Sequence, residues 1–455
     1  MSVPVVEDTN ARISKQRPEA PFVLDLGPAR PLGLLDQIAL WGNLGVSLFG
    51  PVTAAFVLAP SGRPMSLAAA FTALVVGVLI GSAILGLAAV PGARTGAPAM
   101  VLMRGVFGRR GSTVPTVLNI LQNIGWGTFE VVVIAEAASR LTDQSLRPLW
   151  VVVAGAVATS MAIKPLGSVR ALRKVVVWLV AGASVYLLFS LLREPLPAFS
   201  KGGWDGWMVA VDVAIAAGGV SFAPLAADYS RHSRTSGAAF TGAFVGFGLA
   251  SAFYLALGLL AFASIVQVDG DVIAALLAVP AGGLALMVLA VDEVDEAYAN
   301  VYSTTMSVQN LLPRVDRRVI STAIGIIATV LAMVLNIAGY QNFLFLIGSV
   351  FVPLFAVVIV DFFLVSRGQW DLSTTAPTRA APIVAWALGF ATYQLINPGY
   401  VEVWALPWTR LREAVGFMPP SWLGASFTSF VVAGSAMAVL GLLLRSRSAV
   451  ERAPS

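Results

Sequence analysis

The stretch VDEVDEAYANVY, Val291 to Tyr302, places four carboxyl residues, Asp292, Glu293, Asp295 and Glu296, in a segment that is otherwise apolar from about residue 284 to 312. At 100° per helical residue, Asp292, Glu293, Asp295, Glu296, Asn300 and Ser303 fall within an arc of roughly 160°, and Val291, Val294, Tyr298 and Val301 take the other side. A carboxylate at membrane depth costs on the order of 2.5–3.5 kcal/mol on insertion scales, so four of them cannot face lipid. The acidic arc must border an internal space that is wet or holds a cation. Between Lys201 and Arg314 the only basic side chains of Lys or Arg type are Arg231 and Arg234, and no cationic partner is at hand. Clustered carboxyl groups share protons, which makes proton exchange the simplest chemistry for the strip and a bound sodium ion the second. A network that only fixes helix packing is the plain alternative, above all for Glu293 and Glu296.

A second chemical face lies in NILQNIGWGTFEVVV, from Asn119 to Val133. Gln122, Trp126 and Glu130 are spaced i, i+4, i+8, with Asn123 beside them, so an indole stands between an amide and a carboxyl group. Trp126 sits about 13 residues, ~20 Å, from the helix end, too deep for the interfacial aromatic belt. Stacking on an aromatic plane is worth ~1–3 kcal/mol per base, and amides read donors and acceptors on a ring edge. This combination suits a planar, polar, uncharged heterocycle. A packed core tryptophan is the bland alternative.

The elements that must position these groups are membrane helices. The chain has 455 residues, 57% hydrophobic and 12% charged, with a mean hydropathy of +0.82, far from the roughly 25% charged composition of soluble domains. Apolar runs long enough for a ~30 Å hydrocarbon core recur along its length. Twelve spans are expected, at about 36–60, 66–91, 113–138, 149–163, 175–192, 207–227, 236–266, 280–310, 319–338, 343–365, 381–396 and 423–444. With both termini in the cytoplasm, 22 of the 29 Lys and Arg residues fall on the cytoplasmic side, as the positive-inside rule requires. The +5 net charge therefore reports topology. No basic, aromatic-interleaved stretch forms a nucleic-acid surface, and no nucleic-acid partner is expected. The absence of cysteine and the single histidine, His232, remove thiolate and His-rich metal chemistry, and no nucleophile motif points to an enzyme. The polar start, about residues 1–34, reads as a cytoplasmic tail, not a signal peptide; 447–455 is a second tail.

Two expected spans carry unusual breaks. The first reads WGNLGVSLFGPV, Trp41 to Val52, with Gly42, Gly45, Gly50 and Pro51; the sixth reads AAGGVSFAPLAADYSR, Ala216 to Arg231, with Gly218, Gly219 and Pro224. Glycine and proline at mid-membrane free backbone groups that are tolerated only beside an enclosed cavity. Close helix packing is the other use of such glycines. Breaks at spans one and six, five apart, mark two inverted five-helix repeats with a substrate site between them. One transporter domain then covers 35–446, with repeats at about 36–195 and 207–366 and peripheral helices at about 381–444. Phe222, beside the second break, is placed to face Trp126 across a ring, with Ser221 supplying a hydroxyl.

The runs GARTGAPAMVLMRGVFGRRGSTVPTVLNILQNIGW (Gly92 to Trp126), AADYSRHSR (Ala226 to Arg234) and ANVYS (Ala299 to Ser303) resemble the nucleobase–cation symporter-1 family, the cytosine and purine permeases, over approximately residues 30 to 440. The resemblance implies an all-α integral membrane protein of twelve transmembrane helices, a leucine-transporter-type 5+5 inverted repeat with broken helices 1 and 6. It implies a symporter for a small nucleobase, with no cofactor, no bound metal and no obligate protein partner beyond the lipid bilayer of the plasma membrane. On it, Trp126 looks like the stacking residue of span three, Asn123 or Gln122 the adjacent amide, Gly219, Ser221 and Phe222 the contact of span six, and Asn300 the asparagine of span eight. Sodium-coupled relatives place hydroxyl or amide side chains before that asparagine; here those places hold Val294 and Asp295. This tilts coupling from Na+ towards H+, with Asp295 a proton carrier or an acceptor for the base's N–H edge. The coupling set is then Asp292, Asp295, Glu296, Glu130 and Gly45.

Overall fold

A computed structural model describes residues 28–60, 64–196, 198–264, 272–335 and 340–450. Most of the expected N-terminal tail, the end of the C-terminal tail and the last residues of the seventh and ninth expected spans lie outside the described residues. The helices are α1 (Leu34–Leu44), α2 (Phe49–Leu58), α3 (Leu67–Thr95), α4 (Ala99–Gly111), α5 (Thr113–Leu141), α6 (Arg147–Ile163), α7 (Pro165–Leu191), α8 (Trp207–Ile215) and α9 (Ala226–Ser230). They continue as α10 (Ser236–Thr241), α11 (Gly248–Ser264), α12 (Val272–Ala278), α13 (Gly282–Leu311), α14 (Arg317–Val334), α15 (Tyr340–Val360), α16 (Ala380–Ile396), α17 (Glu402–Ala414) and α18 (Ala425–Val450).

Each of the twelve expected ranges overlaps a helix. Among the described residues, eight helical segments are long and apolar enough to cross a membrane, and nine when the pair α1 and α2, bent by 67°, counts as one span. The acidic α13 is 30 residues long, and its four carboxyl residues lower the very hydropathy by which a span is recognised. Helices α4 and α17 lie in segments where no span is expected. Helix α7 begins at Pro165, ten residues before the range expected for it.

Local chemistry sets many of the ends. Ser66 and Thr235 each accept a hydrogen bond from a backbone N–H three residues on, at 3.2 Å and 3.1 Å, which satisfies an orphan donor of the first helical turn. Asp316 does the same for α14 through the Arg318 N–H at 2.8 Å. At the other end, Gly96 closes α3 with φ 74°, the left-handed conformation in which glycine is favoured.

The two helices that carry the chemical faces, α5 and α13, pack along each other. All six residues of the polar arc of α13 are buried, whereas Val291, opposite, is 45% exposed. The arc thus points into the protein, as the charge cost demands, while on the opposite side Val291 is exposed and Tyr298 and Val301 are buried as well. Helix α3 runs against α8, α2 against α11, and α1 against the turn at Gly242–Phe247. Helices α15, α16 and α18 pack on one another, and α15 also packs on α3, α8 and the turn at Ala216–Val220. The segment before α1 is pinned to the turn after α9: the Leu32 N–H donates to the His232 carbonyl at 3.1 Å and the Arg234 N–H to the Leu32 carbonyl at 2.8 Å.

Candidate substrate and coupling site

The first span comes apart at Gly45–Leu48 because its last helical turn, WGNLG, ends in glycine and the next turn restarts at Phe49. A Cβ added at Gly50 would lie 2.7 Å from the Tyr254 Cβ, and one at Gly45 2.9 Å from the Ala250 Cβ; small residues let α1 and α2 press against α11. The break frees backbone and side-chain donors, and α13 answers them. The Ser47 hydroxyl donates to Glu293 Oε1 at 2.9 Å and the Leu48 N–H to Glu293 Oε2 at 2.9 Å. The Phe49 N–H donates to Ser47 Oγ at 3.0 Å, and Asn43 Nδ2 donates to Asp295 Oδ2 at 2.7 Å. Two acidic residues of α13 thus hold the end of α1 and the unwound segment that follows it.

Glu130 of α5 meets Glu293 and Glu296 of α13. An oxygen of each lies within 4.8 Å of an oxygen of both others, and all three side chains are buried. Neither oxygen of Glu130, nor Oε1 of Glu296, receives a hydrogen bond from an N–H or hydroxyl donor. Such a donor set suits protons or a hard cation. Asp292 is buried on the same arc.

Next to this cluster lies a narrow cleft of about 40 Å³, walled by Gly45, Ser47, Phe49, Thr53, Trp126, Ser221, Phe222, Phe247, Glu296 and Tyr340 among others. Trp126 stands edge-on to Phe49, with ring centroids 6.0 Å apart, and to Tyr340 at 5.7 Å. Its indole N–H is buried and has no hydrogen-bond partner. Phe222 packs on Phe247 at 4.9 Å, and the Tyr340 and Thr53 hydroxyls are 3.1 Å apart. Aromatic rings thus make up much of the wall, with hydroxyl and carboxyl groups among them.

The sixth span breaks after α8. The chain passes through a wide turn at Ala216–Val220, in which Gly219 has φ 151°. A Cβ there would lie 2.5 Å from the Gly81 carbonyl oxygen, so both conformation and space require glycine. The chain then presents Ser221 and Phe222 to the cleft.

Of the residues singled out from the sequence, Trp126, Ser221, Phe222, Glu296 and Gly45 line this cleft. Glu130 joins Glu296 one step behind it. Gly219 shapes the break. Gln122 donates to Asn119 Oδ1 at 3.1 Å and Asn123 Oδ1 at 3.3 Å on its own helix and to the Ser221 carbonyl of the sixth span at 3.4 Å. Asn300 donates to the Glu296 carbonyl of its own helix at 3.1 Å, and Asp295 is held by Asn43. Neither amide nor Asp295 is in the wall of the cleft. Asn43, Ser47, Phe49, Thr53, Phe247 and Tyr340 are not among the residues expected from the sequence, and Glu293 counts there as a packing residue. A signal exists for Asn43, Ser47 and Phe49, which lie inside or beside the glycine-rich break. Tyr340 and Phe247 have none, because only the packing of distant helices brings them here.

A family model described as permease for cytosine/purines, uracil, thiamine, allantoin matches residues 39–382. A Bacillus subtilis (strain 168) protein provisionally named purine-cytosine permease YxlA is 24% identical over 362 residues, which are 74% of this chain and 77% of that protein. Among solved structures, Mhp1, a nucleobase-cation-symport-1 family transporter in a closed conformation with bromovinylhydantoin bound, superposes with a TM-score of 0.69 at 18% identity, covering 93% of this chain and 94% of that one. MhsT in complex with L-phenylalanine superposes with a TM-score of 0.53 at 15% identity, covering 89% and 97%. The fold is the leucine-transporter type. With three quarters of its length matched to the family model, this chain belongs to the family of membrane permeases for cytosine/purines, uracil, thiamine and allantoin.

Proposed function

We propose that this protein is a secondary active symporter that imports a nucleobase, cytosine or a purine-like heterocycle, together with H+ or Na+ by alternating access. One observation carries the reading: Trp126 and Phe222, from the third and sixth spans, border a single cleft together with the Ser221 hydroxyl and the Glu296 carboxyl group. Aromatic planes bind the faces of a flat ring, and the hydroxyl and carboxyl groups bind its polar edge. The names borne by YxlA and by the family model point to the same substrate class. Mhp1, whose fold this chain shares, holds a hydantoin.

Uptake follows from the two breaks. Each lets one half of a span pivot against the other while the site stays at its centre. In this reading residues 36–195 and 207–366 are the inverted repeats and 381–444 the peripheral helices, in a plasma membrane protein with both termini cytoplasmic. Asp295, with Asn43 from the last turn of α1, fastens the first span to the eighth, and no cofactor takes part.

The family spans other rings, so a uracil, an allantoin- or hydantoin-like ring, or a thiamine precursor is the second substrate class. A metal-cation transporter is a further reading, favoured only by the three carboxyl groups of Glu130, Glu293 and Glu296. The aromatic wall counts against it, because a bare ion needs no stacking surface. Uptake of labelled cytosine into proteoliposomes, under separately imposed proton and sodium gradients and competed by a panel of bases, tests the proposal. Saturable uptake that neither gradient drives ends the symport reading.

A further inference from the structure

The three carboxyl groups at Glu130, Glu293 and Glu296 share their hydrogen-bond donors unevenly. Glu293 takes two, from Ser47 and Leu48. Glu130 is 1% exposed, and neither of its oxygens receives a donor; Oε1 of Glu296 is equally bare. No Lys, Arg or His stands in the wall of the adjoining cleft. A buried carboxylate without a donor is strongly disfavoured, whereas a carboxylic acid brings its own O–H. With protons on Glu130 and Glu296, Glu293 is the acceptor within reach, and every oxygen that lacked a partner has a route to one. Glu296 also faces two ways, belonging both to the carboxyl cluster and to the wall of the cleft.

We propose that Glu130 and Glu296 carry the protons of the transport cycle, and that Glu293 passes the state of this cluster to the break in the first span. The inference rests on the symport reading above and names the proton as the coupling ion. A proton from water on the outer side adds to a carboxylate oxygen of Glu130 or Glu296 when the site faces outward, and the same O–H bond breaks to water on the inner side. No other group is consumed. When the proton leaves, a second negative charge stands beside Glu293, and the Ser47 and Leu48 donors that hold the break must serve a crowded, repelling cluster. The break then loosens, and the base, in contact with Glu296, leaves by the same opening.

Other titratable groups face the cluster. Tyr340 comes from α15, with its hydroxyl on Thr53. Tyr254 comes from α11, with its hydroxyl bonded to Ser184. Asp292 and Asp295 lie on α13 itself. A phenol keeps its proton at neutral pH, so both tyrosines stay out of the cycle. Asp295 is occupied by Asn43.

The test uses the full chain in proteoliposomes with labelled cytosine. With one proton per base, an inward gradient of one pH unit supports roughly tenfold accumulation. The wild type reaches this without sodium, and Glu130→Gln and Glu296→Gln accumulate nothing above equilibrium. Infrared difference spectra supply a readout that does not need transport: the C=O stretch of a protonated carboxyl group, present in the wild type, weakens in each variant. Size-exclusion profiles identify any variant that fails to fold, and the spectrum of the wild type across pH then decides alone. Several outcomes overturn the inference: accumulation driven by sodium and indifferent to pH while cytosine still binds, proton-driven accumulation retained in both variants, or tight Mn2+ binding seen by electron paramagnetic resonance and lost in the same variants. The first of these leaves the symport reading standing. Failure of every base in the panel to bind removes that reading and this inference together.

Discussion

Ser47 donates its hydroxyl proton to Glu293 at 2.9 Å, although 246 residues separate the two along the chain. One residue lies in the gap of a broken helix and the other on the most acidic helix of the protein. The bond turns the acidic strip from a liability into the partner that an unwound backbone needs: freed donors find fixed acceptors, and buried acceptors find donors. It ties the first half of the chain to the second at the position where an alternating-access protein must both hold and release.

Removal of that hydroxyl tests the tie. Ser47→Ala takes away one hydrogen bond to a carboxyl group, worth about 1.5–3 kcal/mol when the acceptor is charged, and also the acceptor of the Phe49 N–H. The expected outcome is a lower maximal uptake rate with a smaller change in base affinity, measured as initial rates in proteoliposomes beside equilibrium binding in detergent. An unchanged rate denies the break any role in the cycle.

In the proposed function Trp126 is the principal stacking surface. Its loss in Trp126→Ala removes ~1–3 kcal/mol of stacking per base, a weakening of roughly 5- to 150-fold in Kd. Trp126→Phe keeps an aromatic plane against Phe49 and Tyr340 and retains most of the affinity. Isothermal titration with cytosine or the best base of the panel checks both, and equal affinity in wild type and Trp126→Ala moves the ring elsewhere.

Gly219 carries a backbone conformation that other residues rarely adopt. Gly219→Ala adds conformational strain of order 1–3 kcal/mol and a Cβ that would sit 2.5 Å from the Gly81 carbonyl oxygen. Transport is expected to be lost, together with a lower thermal transition in detergent. Gly237→Ala, where a Cβ meets nothing within 4 Å, serves as the control and behaves like the wild type in both assays.

Outside the cleft, Asp361 is fully buried and paired in a two-pronged bridge with Arg379, at 2.8 Å and 2.7 Å. Trp370 donates to the same carboxyl group at 2.7 Å, and Arg379 also reaches the Gly105 carbonyl at 2.7 Å. Arg379→Ala strands a buried charge and is expected to destabilise the protein by about 3 kcal/mol or more. Arg379→Lys recovers only part, because an ammonium cannot make the paired contact. Thermal unfolding in detergent orders the three proteins, and a lysine variant equal to wild type refutes the two-pronged account.

Much of this architecture is legible in the amino-acid sequence. Hydropathy locates the helices, since an apolar run of membrane length has few other fates. The helical period puts the carboxyl groups on one arc, and the cost of charge in lipid turns that arc inward, where all six of its polar residues are buried. The glycine-rich runs mark the places where the first span bends by 67° and where Gly219 leaves helical geometry. Helix α17 escapes notice because its mixed polar composition, with no residue buried, resembles a loop.

The amino-acid sequence by itself determined which segments form apolar helices, where the chain bends at Gly45–Leu48 and leaves helical geometry at Gly219, and which residue types collect on α5 and α13, because these follow from local hydrophobicity, helical periodicity and the backbone freedom of glycine. The tertiary structure alone decided the partners. It gave Glu293 to Ser47 and Leu48, Asp295 to Asn43, Gln122 to the Ser221 carbonyl, and Tyr340 and Phe247 to the cleft beside Trp126 and Phe222, while it turned Asn300 toward its own helix. The physical reason is that a helix fixes the face a side chain shares but not the helix that face will meet. Contacts between residues hundreds of positions apart depend on how all the spans pack at once.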